Sequence, residues 1–370
     1  VNRPQDFDVV IIGAGIAGAS VAHFLAPHGH VAIVEREDQP GYHSTGRSAA
    51  VFAPSYGPPQ VRALTRASRS FLQALSGVLA PRGSLFTARA EQVSAVDGLH
   101  ERLIAEGARG VRRLGTQSAR AIVPVLRDDA VAAALYDDDA SDIDVHALHQ
   151  HYLRSAKVAR AELLCGFDVQ RLARSQQHWE LADGQRTLRA PVIVNAAGAW
   201  ADVIGMLAGA RPLGLIPKRR SAFTFAPAPG LDTSAWPCVV GIDEDFYFKP
   251  DAGVLLGSPA NADAVAPHDV VAEEIDIATG IARIEAATTL TIRRPLRTWA
   301  GLRSFVPDGA LVGGFDDALP GFFWCCGQGG YGVQTSAAMG MACAAALAGR
   351  PLPATVAEAG LGFNDLRCRR

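Results

Sequence analysis

Gly13, Gly15 and Gly18 stand in the spacing G-x-G-x-x-G within VVIIGAGIAG, directly after four apolar residues. Side-chain-free positions in that order suit a phosphate group. The first permits a tight turn, the second lets backbone N–H groups approach a pyrophosphate, and the third lets a helix pack closely on the strand. Ala14, Ile16 and Ala17 fill the turn and the helix start, where oriented N–H donors and the positive end of the helix dipole meet an anion. Glu35 ends the segment HVAIVE, about 20 residues beyond the glycines, where a carboxylate accepts hydrogen bonds from ribose hydroxyls. That acid disfavours a 2′-phosphate, so NADP is the least suited ligand.

A second group of residues could bind an anion of another kind. Arg220 in PKRRSAF and Arg303 in WAGLRSF each lie in an apolar, alternating stretch. A charge there is costly unless paired. A carboxylate ligand would supply the partner; a structural ion pair or a strand end in water are the alternatives. Arg219, next to Arg220, points to the opposite sheet face. Tyr247 lies between Phe246 and Phe248 and so faces away from both. Its phenol could bond a carboxylate from the inner face, as could Tyr56 in APSYG from a loop above it; core packing is the alternative for both.

The elements around the glycines give them meaning. DVVIIG reads as a buried parallel strand, IAGASVAHFLAPHG as a helix ended by Gly29, and HVAIVE as a second strand. A nicotinamide domain would continue with another helix and strand. Here the chain enters REDQPGYHSTGRSAAVFAPSYG, where Ser44, Thr45, Arg47 and Ser48 are suited to wrap a second face of a long cofactor. Two distant segments repeat the strand-to-small-residue pattern. APVIVNAAGAWADVIG brings Ala196, Ala197 and Gly198 to the start of a helix, and FFWCCGQGGYGVQTSAAMGMACAAALAG leads through a glycine-rich turn into an alanine-rich helix. Three such contacts spread over the chain indicate a ligand longer than NAD requires, and FAD fits.

These motifs, with GYHSTGRSAA, NAAGAW, PKRRSAF, DEDFYFKPDAGVLLGSPAN, TWAGLRSF and GQGGYGVQTS, resemble the D-amino acid oxidase family of FAD-dependent oxidoreductases over nearly the full length. Within that family the likeness is greatest to the bacterial D-arginine dehydrogenases. The resemblance implies an α/β fold: a Rossmann-like FAD-binding domain of the glutathione-reductase type, discontinuous over 1–50, 140–210 and 300–370. A second α+β substrate domain, built on a mixed, largely antiparallel sheet, takes 51–139 and 211–299. Non-covalent FAD is the implied cofactor. Beyond the glycine turn it is implied to touch Arg36, Ala49, Ala50, Val169, Trp200, Arg303 and the run Gly329, Gly330, Tyr331, Gly332, Val333 and Gln334.

Amine oxidation moves a hydride from Cα to flavin N5 and requires the amine to shed a proton. The resemblance places carboxylate-binding arginines at Arg220 and Arg303, with Tyr56 and Tyr247 beside them. Gly330 offers a backbone carbonyl to the amine, and desolvation lowers the amine pKa without a dedicated base. Glu91 in RAEQV matches the acid that meets the distal guanidinium in D-arginine dehydrogenases. Val51 and Ala53 stand where those enzymes carry histidine and threonine, and Cys238 replaces a larger apolar residue. These departures favour bulkier or more apolar D-amino acids. The expected activity is therefore a D-amino acid dehydrogenase, with basic or broad preference, passing electrons to a quinone or another acceptor that is not O2. A sarcosine- or glycine-type amine oxidase and a non-catalytic flavin-binding electron-relay protein are the alternatives.

Composition sets the remaining bounds. A chain of 370 residues with 49% hydrophobic residues can bury a large core, and a net charge of -2 offers no field for nucleic acid. No apolar run is long enough for a transmembrane segment, and the opening VNRPQDFDVV has no signal-peptide pattern. The six cysteines, Cys165, Cys238, Cys325, Cys326, Cys343 and Cys368, show neither CxxC spacing nor a disulfide framework, and read as reduced thiols of a cytoplasmic protein. HALHQHY lacks a completing ligand for a metal, so surface and capping roles are expected for its histidines. YDDDASDID reads as a solvated acidic loop, and the basic residues of PPQVRALTRASRSFLQALS as a solvated helix face.

Overall fold

A computed structural model of the chain describes residues 4–367; residues 1–3 of the opening stretch and Cys368 lie outside the described residues. The apolar run Val9–Ile12 forms a strand buried on both faces. Val9 and Ile11 point into one core, shared with helices Ile16–Leu25, Val145–Val158 and Ser336–Leu347. Val10 and Ile12 point into another, built with Trp179, Phe322 and Trp324. A strand covered on both sides has no polar face, which is why it reads as a continuous apolar run. The sheet runs in the order Glu162–Leu164, Val31–Val34, Val9–Ile12, Val192–Asn195, Phe322–Cys326, Val312–Phe315. The first five strands are parallel and the last is antiparallel to its neighbour. A four-stranded sheet, Gln5–Asp6, Thr187–Ala190, His178–Ala182 and Arg171–Ser175, covers the face opposite the helices.

A second, nine-stranded sheet is built around the long strand Ile216–Phe225. On one edge it pairs with Arg297–Phe305, from Ile216 opposite Phe305 to Thr224 opposite Arg297. Its other edge pairs with the short strand Asp263–Ala264 and with Val254–Ser258, from which the sheet continues through Tyr247–Asp251, Cys238–Gly241, Ser84–Ala88, Ala133–Asp137 and Val111–Gly115. The pairing of Cys238–Gly241 with Ser84–Ala88 is parallel and the rest is antiparallel. The sequence hairpin FYFKPDAGVLLGS closes through Ala252 and Gly253, with φ of 48° and 84°. Two consecutive left-handed residues match the right-handed twist of the flanking strands. Alternation along these strands sends Leu85, Phe223, Phe225, Val239, Phe246 and Phe248 into one core. Ser84, Phe86, Arg220, Ala222, Cys238, Val240 and Tyr247 line a cavity on the other face.

Several sequence expectations change here. Helix Pro59–Ala74, assigned to the second domain, buries Val61, Leu64, Ala67 and Leu72 in the core of the parallel sheet. Conversely, strand Arg297–Phe305 carries residues 300–305, assigned to the first domain, into the second sheet. Arg62 of the supposedly solvated helix face is buried and ion-paired to Glu106. The acidic stretch is not a free loop: Asp137 ends a strand and is buried, and Asp142 pairs with Arg82 and Lys249. His149 is buried rather than on the surface. Among the described residues no helix is long and apolar enough to cross a membrane, and Cys165, Cys238, Cys325 and Cys343 form no disulfide.

Candidate functional site

One continuous cavity runs from the carboxyl ends of the parallel strands to the inner face of the second sheet. Ile12, Gly13, Val34, Glu35, Ala196, Ala197, Cys325 and Cys326 mark the strand ends. Open α/β sheets bind ligands outside this edge.

Each glycine of the first turn has its own reason. Gly13 has φ of 103°, and a Cβ there would lie 2.5 Å from the Ala196 carbonyl oxygen. Gly15 is extended and leaves the helix start open, with Thr45 Oγ1 as its nearest neighbour. A Cβ on Gly18 would lie 1.9 Å from the Gly13 carbonyl oxygen, so only glycine lets the helix meet its own strand. Thr45 Oγ1 accepts from the Ile16 N–H at 2.9 Å. Glu35 lines the cavity and accepts from the Ala14 N–H at 2.8 Å and the Glu37 N–H at 3.1 Å. His149 Nε2 donates to the Ala14 carbonyl at 2.8 Å. This buried histidine, 135 residues away in sequence, braces the turn and was not legible as such from its motif. Ala14, Gly18 and Tyr331 do not line the cavity; Ile16 and Ala17 do.

The irregular segment after Glu35 wraps the same cavity. Arg36 stacks on Trp200, its Cζ 4.4 Å from the ring centre, and both line the space. The Ser44 hydroxyl donates to the Leu302 carbonyl at 2.7 Å. Arg47 lines the cavity, but its terminal nitrogens are engaged by Asp269 at 2.5 Å and by the Val270 and Ala300 carbonyls at 2.8 and 3.1 Å. Ser48 Oγ accepts from the Ala50 N–H at 3.0 Å, and Ala50 is held left-handed at φ 59°. Ser48, Ala49, Ala50, Val169, Ala197, Gly198, Gly329, Gly330, Gly332 and Val333 complete this part of the wall. Gln334 is 3% exposed. The residue lines the cavity; its Oε1 accepts from the Ala53 N–H at 3.1 Å, while its Nε2 is buried without a partner among the described residues.

Arg220 and Arg303 face the other end. Strand pairing sets Arg220 opposite Gly301 and Lys218 opposite Arg303, so both arginines lie on one face of adjacent strands. Arg220 Nε donates to the Asn261 carbonyl at 2.6 Å. Among the described residues neither guanidinium has a carboxylate at ion-pair distance. Arg219 behaves oppositely, as alternation predicts: it pairs with Asp276 at 3.0 Å, Asp263 at 3.6 Å and Glu273. Burial, and then the like charge of Arg303, push the Arg220 pKa down. The Arg303 guanidinium lies against Gly330, where a Cβ would come within 2.6 Å of Nη1. The phenols of Tyr56 and Tyr247 face Arg303. Tyr247 is 8% exposed and lines the cavity, while Phe246 and Phe248 pack in the core behind it. Val51, Ala53 and Cys238 line the same end. Burial pushes the Cys238 thiol up to about 12, which leaves it inert.

Glu91 is not part of this constellation. It is exposed, pairs with Arg89 at 2.7 Å and does not line the cavity. The acid at this end is Glu244, which lines the cavity, accepts from the Tyr56 hydroxyl at 2.8 Å and sits left-handed at φ 54°. It lies in the acidic turn of DEDFYF. The one sequence signal for it is its place just before Tyr247, and nothing along the chain separates it from Asp243 and Asp245.

The cradle fits a dinucleotide with a ring system at its far end. It offers a helix start opened by Gly15, an acid at the second strand end, an unpartnered buried amide at Gln334 and small residues at three strand ends. Known proteins agree. The family model described as FAD dependent oxidoreductase (DAO) matches residues 8–346. The FAD-dependent oxidoreductase domain-containing protein 1 of Bos taurus is 26% identical, covering 92% of this chain and 81% of that protein. The tRNA 5-methylaminomethyl-2-thiouridine biosynthesis bifunctional protein MnmC of Paracidovorax citrulli (strain AAC00-1) is 27% identical over 94% of this chain, which spans 58% of that protein's length. A solved structure, glycine oxidase from Geobacillus kaustophilus, superposes with a TM-score of 0.85 at 20% identity, covering 99% of each chain. FAD is thus the cofactor of this cradle, and the chain belongs to the family of FAD-dependent oxidoreductases.

Proposed function

We propose that the protein is a dehydrogenase of D-amino acids, with a preference for cationic or broadly varied side chains. The observation that carries this reading is the pair Arg220 and Arg303: two guanidinium groups on one sheet face, turned into a cavity, with no carboxylate partner among the described residues. Such a pair is costly until an anion arrives, and a planar fork suits a carboxylate. When bound, FAD would supply the acceptor for the hydride from the substrate Cα; the imino acid left behind takes up water and releases ammonia to give a 2-oxo acid.

The chain's own residues do the rest. Arg220 and Arg303 bind the carboxylate, and the phenol of Tyr247 adds a hydrogen bond to it, while Tyr56 donates to Glu244 at the same end. Two nearby cations and an apolar wall disfavour an ammonium, so the substrate nitrogen sheds its proton on binding, and the Gly330 carbonyl orients the neutral amine. Glu244, rather than Glu91, supports a cationic side chain, because it stands in the cavity within reach of Tyr56. Val51, Ala53 and Cys238 give the same end a small, weakly polar wall that also admits apolar side chains. The unbridged thiols of Cys165, Cys238, Cys325 and Cys343 support a cytoplasmic setting.

Anaerobic mixing of the FAD-loaded protein with D-Arg, D-Lys, D-Met, D-Phe, their L-enantiomers and sarcosine tests the reading. Bleaching of the flavin by the D-amino acids is expected, with peroxide well below stoichiometric once air is admitted. If none of them bleaches it, the enzymatic reading fails. Stoichiometric peroxide with sarcosine would make the protein an amine oxidase instead.

A further inference from the structure

Arg220 is aimed from behind its sheet. Its Nε donates to the backbone carbonyl of Asn261 at 2.6 Å, the one hydrogen bond its side chain makes among the described residues. That carbonyl is itself fixed. Asn261 Oδ1 accepts from the Ser221 N–H at 2.8 Å, and its Nδ2 donates to Asp263 at 2.7 Å and Asp276 at 3.1 Å. Asp276 is 8% exposed and lies on helix Glu274–Ala287, on the sheet face opposite the cavity. Its Oδ2 also accepts from Arg219 Nε at 3.0 Å and from the Ser221 hydroxyl at 2.7 Å. The residue before Asn261, Ala260, is held left-handed at φ 51°, with its N–H donating to Ser258 Oγ at 3.0 Å. Ser258 in turn donates to the Ser221 carbonyl at 2.6 Å.

We infer that Asn261 and Asp276 are positioning residues for the substrate's carboxylate, holding Arg220 in line with Arg303 through the Asn261 carbonyl. The inference rests on the carboxylate reading of Arg220 above. Charge balance alone does not call for Asp276, because Arg219 already has Asp263 and Glu273. What Asp276 adds is the tether to Ser221, the residue after Arg220, and to Asn261, whose carbonyl holds Arg220 Nε. The arginine needs such a tether: two like charges share the pocket, and without a fixed acceptor Arg220 would swing away from Arg303. Held by Nε alone, its two terminal nitrogens stay free to form the fork that meets a carboxylate.

The test uses the FAD-loaded protein and pyruvate, a carboxylate that cannot donate a hydride, with methyl pyruvate as the uncharged comparator. Binding is followed by calorimetry and by the flavin absorbance change, in wild type, Arg220→Ala, Asn261→Ala and Asp276→Asn. Asn261→Ala and Asp276→Asn are expected to weaken pyruvate about tenfold and to raise the KM for D-amino acids by a similar factor. The kcat at saturation should change less than threefold, and FAD content and methyl pyruvate binding should stay as in wild type. If Arg220→Ala loses pyruvate while the other two bind it normally, the positioning role is wrong and the carboxylate reading stands. If Arg220→Ala binds pyruvate as wild type does, the carboxylate reading falls and this inference with it. If Asn261→Ala and Asp276→Asn both lose FAD, they are scaffold and the inference is likewise overturned.

Discussion

Replacing Gly330 with alanine should disable the enzyme without removing a single polar group. The added Cβ would lie 2.6 Å from Arg303 Nη1, 2.7 Å from Cζ and 2.9 Å from Nε. Gly330 is not among the left-handed glycines, so alanine brings no backbone strain there. Ordinary contact between such atoms is about 3.5–4.0 Å, so the guanidinium must retreat by about 1 Å. It is the free end of a flexible chain, and it gives way before the sheet does. A misplacement of about 1 Å costs about 10²-fold in rate, or about 2.7 kcal/mol. That equals the loss of one or two charge-assisted hydrogen bonds, at about 1.5–3 kcal/mol each. The assay is kcat/KM for a bleaching D-amino acid, with FAD content and thermal midpoint measured on the same protein. Because the damage passes through Arg303, the double variant with Arg303→Ala should be no worse than Arg303→Ala alone. A kcat/KM within threefold of wild type with FAD retained would refute this reasoning. So would a loss of FAD, which would mean that the backbone moved instead.

Glu244→Gln should lower kcat/KM for D-Arg about tenfold and leave D-Met unchanged, whereas Glu91→Leu should alter neither beyond about twofold; steady-state kinetics on the two substrates decide between the acids. Gly18→Ala places a methyl 1.9 Å from a backbone oxygen and should destabilise the protein by about 3 kcal/mol with loss of FAD, read by denaturant midpoint and flavin content. Stability should fall in acid. Burial, and then the neighbouring His151, lower the His23 pKa from 6.5 to about 4. The unfolded chain therefore binds more protons across that window, and stability held above pH 6.5 is lost progressively towards pH 4. His23→Phe, in a cluster already holding Phe24, Phe71 and Tyr152, should flatten the thermal midpoint against pH over that range.

Local patterns carried much of this protein. The glycine spacing and Glu35 specified a dinucleotide turn because backbone sterics act over a few residues: each glycine answers to a neighbour that the turn itself brings close. Alternation separated Arg220 from Arg219 and Tyr247 from its two phenylalanines, because a strand turns successive side chains to opposite faces whatever lies beyond them. The family motifs extended that reading to FAD. What stands across from a face is another matter. Glu244 reaches Tyr56 over 188 residues, and His149 reaches Ala14 over 135. The family likeness pointed to Glu91, yet a short helical turn at Ala90–Gln92 leaves it in solvent. Arg62 seemed a solvated base until Glu106 arrived from another helix end to pair with it. Periodicity determines which way a side chain points; the pairing of distant strands and helices determines what it meets, and for charges that meeting decides between surface, ion pair and binding site.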